Sequence, residues 1–167
     1  MALTKLNNQS LSAVTAAGLP SGTVLQVVQF VYPTYQQITA SSYAATGITK
    51  AITPVSSSSK ILVNMTVTAG NSGSNAGENA FALYRSIGGA TASAIETFER
   101  AIFSYDPSGD SIHIDASIAL SFLDSPNTTS STTYTLYART NTGILRLNDH
   151  QVSGLGQSTI TLMEIAG

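Results

Sequence analysis

Asp149 and His150 are adjacent, and with one of the chain's many serines they would supply the acid and the base of a nucleophilic triad. The third element is missing. No Gly-x-Ser-x-Gly elbow sets a serine on a strand-to-helix turn, so an exposed loop pair is the favoured reading, and the second histidine, His113, has no acid beside it. Asp106-Pro-Ser-Gly-Asp110 places two carboxylates in a Gly-containing loop, the hard oxygen donors that calcium takes, but lacks the one-three-five ligand density of a Ca²⁺ loop. A turn in which Asp110 accepts from local amides is favoured. Glu96, Glu99 and Arg100 read as a solvated ion-pair face, worth under ~1 kcal/mol. Gly154-Leu-Gly156 is a lone glycine pair before a strand, which reads as a bulge or tight turn rather than a phosphate cradle. Catalytic residues, metal ligands and cofactors are therefore not expected.

Tyrosine is the more informative residue type. Tyr32, Tyr35, Tyr43, Tyr84, Tyr105, Tyr134 and Tyr137 exceed what core filling needs, and a ring with a polar tip suits sugar stacking and protein interfaces. Tyr105 stands beside Asp106 in a loop and is the one expected to be exposed. Tyr105, Asp106 and Asp110 are accordingly the candidate receptor contacts.

These side chains sit in a chain of 167 residues, of which 43% are hydrophobic and only 10% charged. The low charge is offset by Ser and Thr, which are polar and strand-compatible. A net charge of -2, with the seven basic residues scattered from Lys5 to Arg146, argues against nucleic acid, since phosphate binding needs clustered cations. The absence of cysteine excludes a disulfide framework and thiolate metal sites and leaves the redox compartment open. No run approaches the ~20 apolar residues that span a bilayer, so membrane insertion is not expected. The N-terminus offers Lys5 but no apolar stretch of signal length, which leads us to expect synthesis as a soluble cytosolic chain.

Hydrophobic alternation supplies the scaffold. The segment 23–32 is β-branched and aromatic and stops at Pro33; 47–53 stops at Pro54. In 59–68, Ile61, Val63, Met65 and Val67 share one face. The stretch 69–77 has too little apolar surface to pack and is expected to be a mobile loop. Strands follow at 79–87, 112–123, 132–139, 144–148 and 158–166, and the ambiguous 90–103, where Ile95, Phe98 and Ile102 recur at helical spacing, is held as strand. The last strand is apolar on both sides, with Ile160 and Leu162 opposite Met163 and Ile165, so it must be covered twice, by the opposing sheet and by more chain or a neighbouring copy. Tyr134, Leu136, Ile160, Leu162, Met163 and Ile165 are the candidate oligomer interface. Eight to ten short strands fit an all-β antiparallel sandwich, and among sandwiches a jelly roll, over residues 23–167. Residues 1–22 read as an extended arm, about 65 Å long at ~3.3 Å per residue, able to dock through Leu3, Leu6, Leu11, Val14 and Leu19.

The segments Gly18-Leu-Pro-Ser-Gly-Thr-Val-Leu-Gln-Val-Val28, Ser58-Ser-Lys-Ile-Leu-Val63, Ser121-Phe-Leu-Asp-Ser-Pro-Asn-Thr-Thr129, Tyr134-Thr-Leu-Tyr-Ala138 and Ser158-Thr-Ile-Thr-Leu-Met-Glu-Ile165 together resemble virion structural proteins of marine tailed phages, particularly cyanophages. The resemblance implies a homotrimeric jelly roll of the tumour necrosis factor type, exposed on the virion as a tail-fibre or adhesion knob. It also implies partners: other copies of the chain, capsid or baseplate proteins reached by the arm, and a host surface glycan. The chain departs from long tail fibres in having only about 22 residues before the domain, with no shaft. A capsid decoration protein and a stand-alone carbohydrate-binding lectin are the alternative expectations.

Overall fold

A computed structural model describes residues 19–74, 77–104, 111–149 and 156–167. Its strands are β1 (Val24–Tyr32), β2 (Gln36–Ile38), β3 (Ala44–Ile52), β4 (Lys60–Ser74), β5 (Gly77–Ile87), β6 (Ser93–Ser104), β7 (Ser111–Asp124), β8 (Thr132–Thr140), β9 (Ile144–Leu147) and β10 (Ser158–Ile165). Among the described residues there is no helix. The expected antiparallel all-β sandwich is observed, with six strands in sheet A and four in sheet B.

Sheet B has the order β3-β8-β5-β6. Sheet A is organised around β4. One edge of β4 pairs with β7 along residues 61–74, which leaves the other edge to be shared: β10 takes residues 60–66 and β9 takes 69–72. β1 pairs outside β10, and β2 outside β9. The outer two strand lines of sheet A are thus each interrupted at the same level, β1/β2 at residues 33–35 and β10/β9 between 148 and 157.

Asn148 bridges that break. It is fully buried, with φ at 52°, in the left-handed region that asparagine tolerates better than most side chains. Its Nδ2 donates to the carbonyls of Tyr32 (2.8 Å) and Thr34 (3.0 Å), and its backbone N–H donates to Thr68 (2.9 Å). Ser158 Oγ donates to Asn148 Oδ1 at 2.7 Å and accepts from the Thr68 N–H at 3.1 Å. One amide therefore serves two carbonyls of the broken β1/β2 line directly and, through Ser158, supports the Thr68 N–H of β4 in a dry environment.

The core forms where Ile61, Val63, Met65, Val67, Leu145, Leu147, Ile160 and Leu162 of sheet A meet Ile48, Ile52, Phe81, Leu83, Tyr134 and Leu136 of sheet B. Two glycines permit close approaches. A Cβ on Gly47 would lie 2.2 Å from the Tyr32 ring, which crosses the β1/β3 edge, and one on Gly70 would lie 2.0 Å from Asp115 Oδ1. At the other side, Asp124 at the end of β7 accepts both oxygens' worth of hydrogen bonds from Arg85 Nη1 on β5 (2.7 and 2.8 Å) and one from Tyr134 OH on β8 (2.7 Å), tying sheet A to sheet B. Burial, reinforced by the bond to Asp124, raises the Tyr134 hydroxyl far above the ordinary tyrosine range.

One expectation is corrected. The stretch 69–77 is not a loop up to residue 74: β4 continues through it, because small residues at Gly70, Asn71 and Ser72 let β7 and β9 pair on both edges. Side-chain bulk was not needed where backbone pairing is available on both sides. Residues 93–104 are strand, as held, and the three-residue step from Ile95 to Phe98 arises from a register shift opposite Leu83/Tyr84. A further shift opposite Asn79/Phe81 accompanies Arg100 at a φ of 54°.

Replacing Asn148 by Ala should lower unfolding stability by about 3 kcal/mol, from three buried side-chain hydrogen bonds at about 1 kcal/mol each. Chemical denaturation measures this, and a loss under about 1 kcal/mol would show the break to be held by other means. For Tyr134, the raised folded pKa means its contribution is complete below the ordinary tyrosine value and is lost as pH rises beyond it. The wild type should therefore lose stability steeply above about pH 10, and Tyr134→Phe should be less stable at neutral pH but flatter in alkali, read as Tm against pH.

Candidate functional site

Of the expected interface residues, Tyr134, Leu136, Ile160 and Leu162 are each 0% exposed and pack inside the sandwich. They have no surface to offer a neighbour. The alternation had assigned them correctly to common faces, but those faces point to the opposing sheet. Met163 and Ile165 lie on the other side of β10 and retain accessible surface. Leu19, the one candidate docking residue of the arm among those described, lines an open hollow of ≈ 280 Å³ with Leu25, Val55, Ser56, Ser58, Ser59, Ala166 and Gly167. Beside it, Gly22 N–H donates to Ala166 at 2.8 Å. Leu3, Leu6, Leu11 and Val14, the loop residues Tyr105, Asp106 and Asp110, and His150 lie outside the described residues. Asp149 pairs with Arg146 at 3.1 Å. No group of three or more His, Cys, Asp or Glu residues able to hold a metal occurs among the described residues, and no described helix is long and apolar enough to cross a membrane.

Two outward faces remain, and they differ in chemistry. On sheet A, pairing aligns Val27, Met163, Leu62 and Leu123 in one row across β1, β10, β4 and β7. Val27 is 54% and Leu123 50% exposed. The next row is Gln29, Thr161, Asn64 and Ser121, tied by Gln29 Nε2 donating to Thr161 Oγ1 (3.0 Å) and Ser121 Oγ donating to Asn64 Oδ1 (2.8 Å). Val31, Thr159, Thr66 and Ala119 follow. No side chain in these rows is charged. The face is hydroxyl-rich and crossed by an apolar band, and it continues to the free edge of β1, where Val24 and Val31 are also exposed.

On sheet B the outward rows are Ala45, Tyr137, Ala82 and Thr97, then Thr49, Thr135, Tyr84 and Ala94. Tyr84 and Tyr137 stack, their ring centroids 3.8 Å apart and the rings 18° from parallel, and Tyr43 tilts against Tyr84 at 6.5 Å. Ala82 is fully buried beneath this layer. Glu99 on β6 accepts from Tyr43 OH (2.7 Å) and from Arg139 Nη2 (2.6 Å), while the Arg139 guanidinium lies 5.5 Å from the centre of the Tyr43 ring. The Tyr43 hydrogen bond is the main cause holding the Glu99 carboxyl below the ordinary glutamate range; burial opposes it, and the hydrogen bond and charge of Arg139 add to the lowering. Burial and the bond to Glu99 raise the Tyr43 hydroxyl. The expected Glu96–Glu99–Arg100 cluster is thus dispersed: Glu99 pairs with Arg139, and Arg100 with Glu78 at 2.6 Å. Sequence reasoning singled out the tyrosines as a class but not this grouping, since only the cross-strand register brings residues 43, 84, 99, 137 and 139 together.

These features define a β-sandwich with two laterally extended, chemically distinct outer faces. No family model matches the chain, and no curated protein does. Among solved structures, it is similar to one described as the structure of infectious bursal disease virus, Gx strain, at a TM-score of 0.36 and 13% identity over 88% of this chain. It is also similar to the D431N mutant VP2 protein of infectious bursal disease virus in T=1 particles, at a TM-score of 0.35 and 8% identity over 85% of this chain. A VP2 subviral particle of the same virus matches at 0.32 and 11%, again over 85%. The chain spans well under half of these structures' chains, between 37% and 38%. At TM-scores below 0.5 the likeness is distant, and no function is taken from it.

The Glu99 carboxyl, followed by carbon-detected NMR, should titrate below the usual glutamate midpoint. Because the folded value is depressed, the Glu99 interactions are present above the unfolded value and lost as pH falls through the folded one. Tyr43→Phe should move the midpoint up; an unchanged midpoint would show that the hydroxyl is not its cause.

Proposed function

We propose that the chain is a non-enzymatic virion structural protein, a surface-exposed jelly-roll knob that assembles into a homotrimer and serves in host adhesion. The observation that carries the assembly reading is the outer face of sheet A. Folding alone leaves its four-residue apolar row half-exposed at both ends, and this row with its two uncharged neighbours can be covered by a second copy without desolvating an ion. Jelly-roll connectivity is supported by the way the chain changes sheet, from β2 to β3, β3 to β4, β4 to β5, β6 to β7, β7 to β8 and β8 to β9.

The virion assignment rests on the sequence resemblance to phage structural proteins, and three is the copy number that the resemblance implies. Closure about an axis would bury the Val27, Met163, Leu62 and Leu123 row of each copy. The arm would provide attachment to a larger virion protein, entering beside the Leu19 hollow at the end of the sandwich where Gly22 is bonded to Ala166.

Sedimentation equilibrium should give a trimer for the wild type. Val27→Lys with Leu123→Lys should give a monomer with unchanged far-ultraviolet circular dichroism, since both positions are about half exposed and can carry a charge in the folded protomer. A wild type that sediments as a monomer at all concentrations would overturn the assembly reading. Antibody-gold labelling of intact particles tests location: gold at the tail supports the adhesion knob, gold over the head replaces it with a decoration protein, and unlabelled particles remove the virion assignment.

A further inference from the structure

We propose that the Tyr43, Tyr84, Tyr137, Glu99 and Arg139 patch on the outer face of sheet B is a binding platform for a neutral saccharide. The three tyrosines supply ring surface with hydroxyl tips, which matches a sugar's alternation of C–H faces and polar rims. Glu99 and Arg139 supply the polar half. Each Glu99 oxygen takes one hydrogen bond, from Tyr43 or Arg139, and the side chain is still 52% exposed. A carboxylate oxygen accepts two, so each retains acceptor capacity for an incoming hydroxyl. Arg139 uses one guanidinium N–H on Glu99, and its side chain keeps 26% of its surface. An acceptor pair next to a donor fork, both locked in place by Tyr43, is pre-organised for adjacent hydroxyls on one ring.

Charge and surroundings decide between ligand classes. The Glu99–Arg139 pair sums to zero, which favours a neutral ligand over an acidic one. The rows around it contain Ala45, Ala82, Ala94, Thr49, Thr97 and Thr135 and no large aliphatic side chain, so the patch lacks the apolar anchors of a protein interface core. Thr49 and Thr135 hydroxyls, 2.8 Å apart, extend the polar rim. The platform is shallow, so single-site affinity is weak, and useful attachment comes from several copies acting together. In that biological sense the inference rests on the adhesion reading, whereas binding by the purified chain does not.

The test is a ¹H–¹⁵N NMR titration of the full chain with methyl β-galactoside, methyl α-mannoside and methyl α-glucoside, and with N-acetylneuraminic acid as the acidic comparison. At least one neutral glycoside should give saturable shifts centred on residues 43, 84, 97–99, 137 and 139, with none on the outer face of sheet A. Tyr137→Thr and, separately, Arg139→Gln should each weaken binding about ten-fold, the loss expected for one stacked ring or one charged hydrogen bond. Both keep strand-compatible side chains at partly exposed sites, and a spectrum of each variant as dispersed as the wild type's reports that it is folded. Absence of saturable shifts with all three glycosides, shifts centred elsewhere, or tighter binding of N-acetylneuraminic acid would each overturn the proposal. A trimer located on particles that binds no glycoside overturns this inference alone; glycoside binding by a protein absent from particles overturns only the virion assignment.

Discussion

The sandwich depends on keeping the backbone of β4 paired on both edges. Its β7 edge is satisfied by one uninterrupted partner, but the other edge faces two separate strands with a gap between them. Water cannot serve the gap, because Asn148 and Ser158 there are fully buried. A single primary amide fills it by donating to one broken strand line while accepting from Ser158, which in turn caps the Thr68 N–H. An unpaired backbone group at this depth costs as much as a lost hydrogen bond or more. The position consequently requires a short side chain with donor and acceptor ends and tolerance of a positive φ, which asparagine combines.

The remaining buried polar groups act at the margins of the two sheets. Arg85, Asp124 and Tyr134 close one side by joining the end of β7 to β5 and β8. Glu164, fully buried on β10, takes hydrogen bonds from the Val55 N–H at 2.8 Å and from Gln26 Nε2, fixing the β3–β4 connection over the end of sheet A. With the perimeter fastened in this way, the outward faces carry little of the folding burden and can differ in chemistry. One is neutral and partly apolar; the other carries tyrosines around an ion pair.

Much of this was legible in the sequence because period-two alternation is a local property. It grouped Ile61, Val63, Met65, Val67 and Ile160, Leu162 correctly onto common faces. It could not say which side of the two-sided β10 faces the opposing sheet, which is why buried Leu162 stands beside outward Met163 among the candidate interface residues. Residues 69–74 were misread because strand formation there comes from backbone pairing on two edges rather than from side chains. The Ile95–Phe98 spacing mimicked a helix because a bulge resets the alternation. The tyrosine patch was illegible for a further reason: its members are up to 96 positions apart, from Tyr43 to Arg139, and only the register of β8 against β3 and β5 makes them neighbours.

The lack of charge in the three central outer rows of sheet A, between Lys60 at one end and Asp115 and Arg146 at the other, also fixes how contact through those rows would respond to the medium. With no ions within those rows to screen, such contact would lose little when salt is added, and high concentrations of surface-excluded salts would strengthen it. Its strength would instead follow the temperature dependence of apolar hydration and weaken on cooling. With no charge inside those rows to guide approach, steering would be slight, and the rate of joining would follow the local concentration of the chain.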